Sequence, residues 1–266
     1  MAGLPHHGNR LSLPSERQWF LGYPVRSQTV YVCIDNETGN LLKSYTIYSG
    51  LSATKYTFEW KNENGEVVGT NTTYTTLVPG IFSLVVTNIT TGCVSEVFET
   101  IVEQSEPAEV TYVVEDDFSD NQRIIVTATG LGGNYEYQLD NGQFQDSNIF
   151  ENVTSGIHTI TVRDKNECGS TTIQALVINY PKFFTPNGDG YNDTWNIRDL
   201  KNQPTANIMI YDRYGKVLKQ IRPNGEGWDG TFNGKQLLSD DYWFTVSYTD
   251  ENQQDREFKS HFAMKR

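Results

Sequence analysis

From residue 29 onward the chain alternates with a period of two. Val30, Val32 and Ile34 alternate with Thr29, Tyr31 and Cys33. Tyr56-Thr57-Phe58-Glu59-Trp60 alternates and then meets the turn signal Asn64-Gly65. Ile81-Phe82-Ser83-Leu84-Val85-Val86-Thr87 reads as a strong strand. Successive side chains of a strand point to opposite faces, so this period builds half-buried sheet. The β-branched and aromatic residues that recur here suit a pleated surface. No window of about 11–18 residues carries a convincing helical period. The predicted class is all-β.

The pattern also repeats. Tyr56–Trp60 before Asn64-Gly65 resembles Tyr135–Leu139 before Asn141-Gly142, and Pro79–Asn88 resembles Ser155–Asp164. Gly92-Cys93 and Glu167-Cys168 then occupy matching places. An offset of about 75–79 residues is the size of a small β-sandwich. This divides the chain into an irregular leader (1–28), one sandwich (29–105), a second (106–179) and a distinct last segment (180–266). Gln104-Ser105-Glu106-Pro107 and Asn179-Tyr180-Pro181 are the joints. Charge marks the second joint. Residues 181–266 hold twelve basic and twelve acidic side chains, so the formal net charge of −12 lies entirely in the first 180 residues. That balance argues against nucleic acid as a partner, since phosphate binding needs a basic stripe. No apolar run reaches the roughly 20 residues that span a bilayer as a helix. The leader carries no secretory signal, because His6, His7, Arg10, Glu16 and Arg17 interrupt any apolar stretch. His6-His7 reads as linker, not as a metal site. If the rest is exported, the sequence is a piece of a longer precursor.

The three cysteines are Cys33, Cys93 and Cys168. Cys33 lies in the first strand of copy one and Cys93 precedes its last strand, so a Cys33–Cys93 disulfide is expected. Closing a loop of about 60 residues contributes on the order of 4 kcal/mol in the chain-entropy picture. Cys168 is left as a buried or free thiol. Nothing suggests an enzyme: there is no nucleophile elbow, no zinc-protease helix motif and no phosphate loop. Asp116-Asp117 and Asp240-Asp241 read as solvated turns, and His158 as an outward position on a strand. The sequons at Asn36, Asn71, Asn88, Asn152 and Asn192 are expected by chance in an Asn- and Thr-rich chain.

The last segment is the most specific. It opens Phe183-Phe184-Thr185-Pro186-Asn187-Gly188-Asp189-Gly190-Tyr191-Asn192-Asp193-Thr194-Trp195. Ile208-Met209-Ile210-Tyr211-Asp212-Arg213-Tyr214-Gly215-Lys216-Val217-Leu218 follows as strand, turn and strand. Then come Trp228-Asp229-Gly230, Asn233-Gly234-Lys235 and the alternating Asp241–Tyr248, and the end is Phe262-Ala263-Met264-Lys265-Arg266. In kind and order these motifs resemble the gliding-motility-associated C-terminal domain of Bacteroidota, the type B sorting domain of the type IX secretion system. The resemblance covers about 87 residues. The upstream copies resemble Ig-like and adhesin-type repeats, which gives three Ig-like β-sandwich domains in a row. The resemblance implies export across the inner membrane, recognition in the periplasm through residues of these motifs, and passage to the cell surface or the medium. The implied partners are the type IX translocon and an outer-membrane β-barrel protein of the PorP/SprF type. The family usually has Gly where Asp240-Asp241 precedes Tyr242.

Two readings of this segment stay open. Asn187, Asp189 and Asp193 place oxygens at alternate positions around glycines, as a Ca²⁺ loop needs. Set on an EF-type loop, however, Thr185 and Asn196 replace both charged end ligands, and the alternative is a hydrogen-bonded turn. Ca²⁺ is the one cofactor in question. The last eleven residues are basic by three charges, and Phe258 and Phe262 alternate. This stretch reads as the domain's own last strand or as one that can add to a partner's edge, and both can hold. Rival functions for the whole are an adhesin whose sandwiches bind a glycan, and the non-catalytic tail of a larger secreted hydrolase.

Overall fold

Burial alternates residue by residue along the long strands. In Gly80–Asn88 the side chains of Phe82, Leu84 and Val86 are inside, and in Asp240–Thr249 those of Tyr242, Phe244, Val246 and Tyr248. The computed structural model describes residues 28–35 and 37–266. The expected leader, His6-His7 and the Asn36 sequon therefore lie outside the described residues. The strands are β1 (Gln28–Ile34), β2 (Leu41–Lys43), β3 (Tyr45–Tyr48), β4 (Tyr56–Lys61), β5 (Val67–Gly69), β6 (Thr73–Thr76), β7 (Gly80–Asn88) and β8 (Phe98–Ser105). Next come β9 (Glu109–Glu115), β10 (Gln122–Thr129), β11 (Tyr135–Leu139), β12 (Ile149–Val153), β13 (Gly156–Asp164) and β14 (Ser170–Val177). The last stretch holds β15 (Phe183–Phe184), β16 (Asn207–Tyr211), β17 (Val217–Ile221), β18 (Thr231–Phe232), β19 (Lys235–Gln236), β20 (Asp240–Thr249) and β21 (Asp255–Met264). A 3-10 turn at Arg198–Leu200 is the sole helical element among the described residues. The expected all-β, Ig-like class is observed.

Backbone contacts divide the chain into two units. The first takes in the described residues up to Glu109 together with Ala128–Glu136 and Val162–Thr171. Its main sheet has the order β2-β1-β8-β7-β4-β5, faced by the β3-β6 ribbon. Between them Val32, Ile47, Phe58, Trp60, Phe82 and Leu84 are buried. The Trp60 indole N–H donates to the Asn71 carbonyl at 2.8 Å, which satisfies the one polar atom this large side chain buries.

The disulfide expectation is corrected here. Cys33 bonds Cys168, with Cα atoms 5.2 Å apart, and Cys93 is a free, exposed thiol. Strand direction explains why. β1 pairs with β8 in parallel, Cys33 opposite Ser105. Cys93 precedes β8, so it sits at the other end of that strand. About eight residues at roughly 3.3 Å each separate the two levels, far beyond disulfide reach. An antiparallel pair would have brought them together. Cys168 instead arrives on the turn after β13, which the buried Asp164 carboxylate organises. That carboxylate accepts from the Ser105 hydroxyl at 2.8 Å, the Asn134 amide at 3.2 Å and the Cys168 amide at 3.3 Å. The bond thus ties the first sequence copy to the second.

The second unit comprises Val110–Thr127, Tyr137–Thr161 and Thr172–Arg266. Its largest sheet has the order β15-β21-β20-β16-β17. The expectation for His158 is also corrected, since it points inward. Its ring nitrogens lie 2.8 Å from an Asp140 carboxylate oxygen and 2.8 Å from the Thr154 carbonyl, so the core histidine is fully partnered. Asp117 is likewise no simple solvated turn residue, because it accepts the Tyr248 hydroxyl at 2.8 Å.

Candidate recognition site

The register of the five-stranded sheet gathers the motifs at one end. Tyr211 pairs with Trp243, Trp243 with His261, and Phe184 with Met264. The loop after β15 (185–193), the turn after β16 (212–216), the segment leading into β20 and the residues after β21 therefore meet there. Beneath them lies an aromatic stack. Trp195 lies on Phe262 with centroids 3.9 Å apart and 10° between planes, and Phe184, Trp228 and Tyr242 surround the pair. Trp195 and Trp228 also exchange backbone N–H···O=C bonds of 2.9 Å. Their indole N–H groups donate to the Pro181 carbonyl at 2.7 Å and the Thr231 carbonyl at 2.9 Å. Among the motif aromatics, Phe184, Trp195, Trp228 and Phe262 are thus core supports. Tyr211 is the exception, half-buried, with its hydroxyl 3.2 Å from that of Thr245.

The loop 185–193 is held by its own amides. The Asp193 carboxylate accepts Gly188 N–H at 2.6 Å and Gly190 N–H at 2.7 Å. Asp189 accepts Tyr191 N–H and the Asn187 side-chain amide, both at 2.8 Å, while Asn187 accepts Asp189 N–H at 3.0 Å. The Tyr191 amide, then the Asn187 side chain, hold the Asp189 carboxyl below its ordinary range. Thr185 closes the loop through its amide on the Asn192 carbonyl at 2.8 Å. Each of these carboxylate oxygens accepts an N–H, so these contacts build the hydrogen-bonded turn of the two readings. Among the described residues no three acidic, His or Cys side chains are placed to share a metal. Calorimetric titration with Ca²⁺ at millimolar concentration is expected to give no binding heat, and a saturable one would reverse this assignment.

Gly230 and Arg266 knit the loops together. Gly230 has φ of 77°, and a Cβ there would lie 2.4 Å from Met264 Sδ and 3.0 Å from the Arg266 guanidinium, so only glycine fits. Asp229 caps the same turn, its Oδ1 accepting Thr231 N–H at 3.0 Å. Arg266 donates to the carbonyls of Pro186 at 2.9 Å, Leu237 at 3.2 Å and Gly230 at 3.3 Å. Its guanidinium donors are thus engaged within the domain. Lys265 Nζ lies 4.9 Å over the Phe183 ring. Asn233 (φ 51°) and Gly234 (φ 74°) form the two-residue hairpin that their sequence predicts. Gly215 (φ 82°) closes the turn in which Asp212 Oδ1 accepts the amides of Tyr214 and Lys216, both at 2.9 Å. Arg213 pairs with Asp240, and that bond holds the Asp240 carboxyl low. The Asp that stands where the family prefers Gly therefore has a partner from a second motif.

The end face presents three large side chains that the sequence reading did not single out. Tyr191 is 78% exposed, Leu238 83% and Tyr214 88%. Their signal was position, each lying within or beside a turn motif. β21 itself is the sheet's own strand, paired with β20 over ten residues, and Phe262 faces the core. Trp243 stays 39% exposed beside the His261 ring.

These features define an all-β, Ig-like chain whose last segment collects its motifs at one end of a five-stranded sheet. Residues 178–263 match the family described as CHU_C Type IX secretion signal domain. This part of the chain is thus a sorting domain of a secreted protein, and it implies recognition by the type IX machinery and export to the surface or beyond. No curated protein matches the chain. Among solved structures, fibronectin(III)-like modules of Clostridium thermocellum CbhA are similar at 14% identity and a TM-score of 0.33, over 59% of this chain and 92% of that one. The N-terminal four Ig domains of Dscam1 isoform 8.4 are similar at 14% and 0.26, over 57% of this chain and 44% of that one. Bacteroides ovatus SGBP-B, solved with a mixed-linkage heptasaccharide, is similar at 13% and 0.22, over 90% of this chain and 67% of that one. No helix among the described residues is long and apolar enough to cross a membrane.

Proposed function

We propose that the end face formed by loop 185–193, turn 212–216 and the segment around Leu238 is the surface by which the type IX translocon takes up this protein from the periplasm. The observation that carries this reading is the convergence of separate motifs of the matched segment on one end of one sheet. Phe184, Trp195, Trp228, Gly230, Phe262 and Arg266 would act from behind, fixing the loops. Tyr191 and Tyr214 would make the main contact, since aromatic anchors carry much of an interface's energy, and Leu238 would add apolar area beside them. After export, an outer-membrane β-barrel of the PorP/SprF type would hold the protein at the surface. The upstream sandwich at 29–105 would serve as an acidic stalk that resists self-association. Deleting residues 181–266 is expected to trap the protein in the periplasm, as read by fractionation. Undiminished secretion of the truncated chain would sink the proposal.

A further inference from the structure

The turn between β9 and β10 adopts a backbone that its residues disfavour. Asp116 and Phe118 have φ of 63° and 64°, and a bulky residue in that region is an outlier. Such a conformation persists where the surroundings over-determine it. The surroundings here are the C-terminal sandwich. Phe118 is 3% exposed and belongs to the same buried cluster as Trp195, Trp228 and Phe244. Its ring stacks on Phe258 at 4.2 Å with 13° between planes and meets Tyr248 edge-on at 5.4 Å, with Tyr180 at 6.2 Å. Polar bonds fix the turn on both sides. Phe118 N–H donates to the Ile178 carbonyl at 3.2 Å, and Lys182 Nζ donates to the Phe118 carbonyl at 3.2 Å. The Tyr248 hydroxyl donates to Asp117 at 2.8 Å, and Gln122 Nε2 to the Ile178 carbonyl at 2.9 Å. Burial, and then the Asp117 hydrogen bond, push the Tyr248 hydroxyl well up, so it remains a neutral donor.

We infer that Tyr180, Tyr248 and Phe258 form a socket on the signal domain whose occupant is the Asp117–Phe118 turn of this chain, so that the folded unit delivered for export begins at β9 and not at residue 178. The inference rests on the reading above that residues 181–266 direct export. Phe118 lies well before the matched residues 178–263, yet it completes their core. The socket is also at the right place to leave recognition free. Tyr248 pairs with Arg256 and Val246 with Phe258, towards the end of β20 and β21 that is opposite the motif loops. An empty socket would bare three aromatic rings as one apolar patch, which favours association and proteolysis. Phe118 is thus a positioning residue for the export domain.

The test uses the full chain with Phe118→Ala and Phe118→Leu. Hydrogen exchange by mass spectrometry is followed in peptides covering 244–260 and, as an internal control, 56–61 and 80–88. Secreted fraction is measured in parallel, beside the 181–266 deletion. Phe118→Ala is expected to speed exchange in 244–260 at least tenfold, leave the control peptides within twofold and lower the secreted fraction severalfold. Phe118→Leu should restore most of both. Unchanged exchange in 244–260 overturns the inference. So does faster exchange with undiminished secretion while the deletion still blocks export. Undiminished secretion of the deletion would instead overturn the export reading on which it rests.

Discussion

Replacing Cys33 and Cys168 together by alanine is expected to weaken the first unit by about 4–5 kcal/mol. The bond closes a separation of 135 residues, and the chain-entropy relation assigns about 5 kcal/mol to a loop of that length. The corresponding figure for a loop of about 60 residues is near 4 kcal/mol, so the loss does not by itself discriminate between pairings. Discrimination comes from Cys93. Because Cys93 is exposed and outside the bond, Cys93→Ser alone should change the unfolding free energy in a urea titration by less than about 0.5 kcal/mol, as for a surface site. It should also be the background for the double variant, since a free thiolate can attack the disulfide during unfolding. Alanine is preferred to serine because Cys33 is fully buried, and a hydroxyl left there without a partner adds its own cost. A non-reducing peptide map should join the Cys33 and Cys168 peptides. A double variant within about 1 kcal/mol of the parent would mean that the unit does not depend on the crosslink. A loss of the expected size is a large part of ordinary domain stability. A structural disulfide also suits an exported protein, since such bonds persist in oxidising surroundings.

That disulfide marks where legibility in the sequence ended. Alternation is a local property, so the strands Tyr56–Lys61, Gly80–Asn88 and Asp240–Thr249 could be read directly, and so could the Asn233-Gly234 hairpin. Alternation says nothing about strand direction, and the parallel pairing of β1 with β8 is what moves Cys93 out of reach. Along β13 Ile157 and Ile160 differ in parity, so alternation alone does not fix which side His158 takes, and the structure places His158, Ile160 and Val162 inside. The oxygen spacing of Asn187, Asp189 and Asp193 is the same for a cation loop and for a turn that binds its own amides. What the structure adds is the direction of the Gly188 and Gly190 N–H groups, which point at Asp193 as the turn requires. The carbonyl partners of Arg266, at Pro186, Gly230 and Leu237, lie 29 to 80 residues away in sequence, so local pattern gives no sign of them. The contiguous motifs were legible as a signal domain. Which of their residues face outward depended on packing, and packing put the tryptophans beneath and Tyr191, Tyr214 and Leu238 on top.

Trp195→Ala is expected to cost the second unit about 3–5 kcal/mol, the range for removing a large aromatic from a packed core. Several losses coincide at this position. The side chain is fully buried, its stacking partner Phe262 loses a face at 3.9 Å, and the Pro181 carbonyl loses its indole donor at 2.7 Å. Trp195→Phe separates them. It keeps an aromatic ring against Phe262 but removes the donor, so about 1–3 kcal/mol should be lost. Trp243→Ala is the control within the same sheet, and because that indole is partly exposed its cost should stay near or below 1 kcal/mol. Denaturant unfolding followed by tryptophan fluorescence ranks the three. Should Trp243→Ala match Trp195→Ala, the division into buried support and exposed face is wrong. The order also bears on export. Trp195 sits under loop 185–193 and bonds back to back with Trp228, so its loss loosens the end face from below without altering any residue on it. A secretion defect in Trp195→Ala that Trp195→Phe largely repairs would place the requirement on the rigidity of the loops. An equal defect in both, despite their different stabilities, would place it on the indole itself.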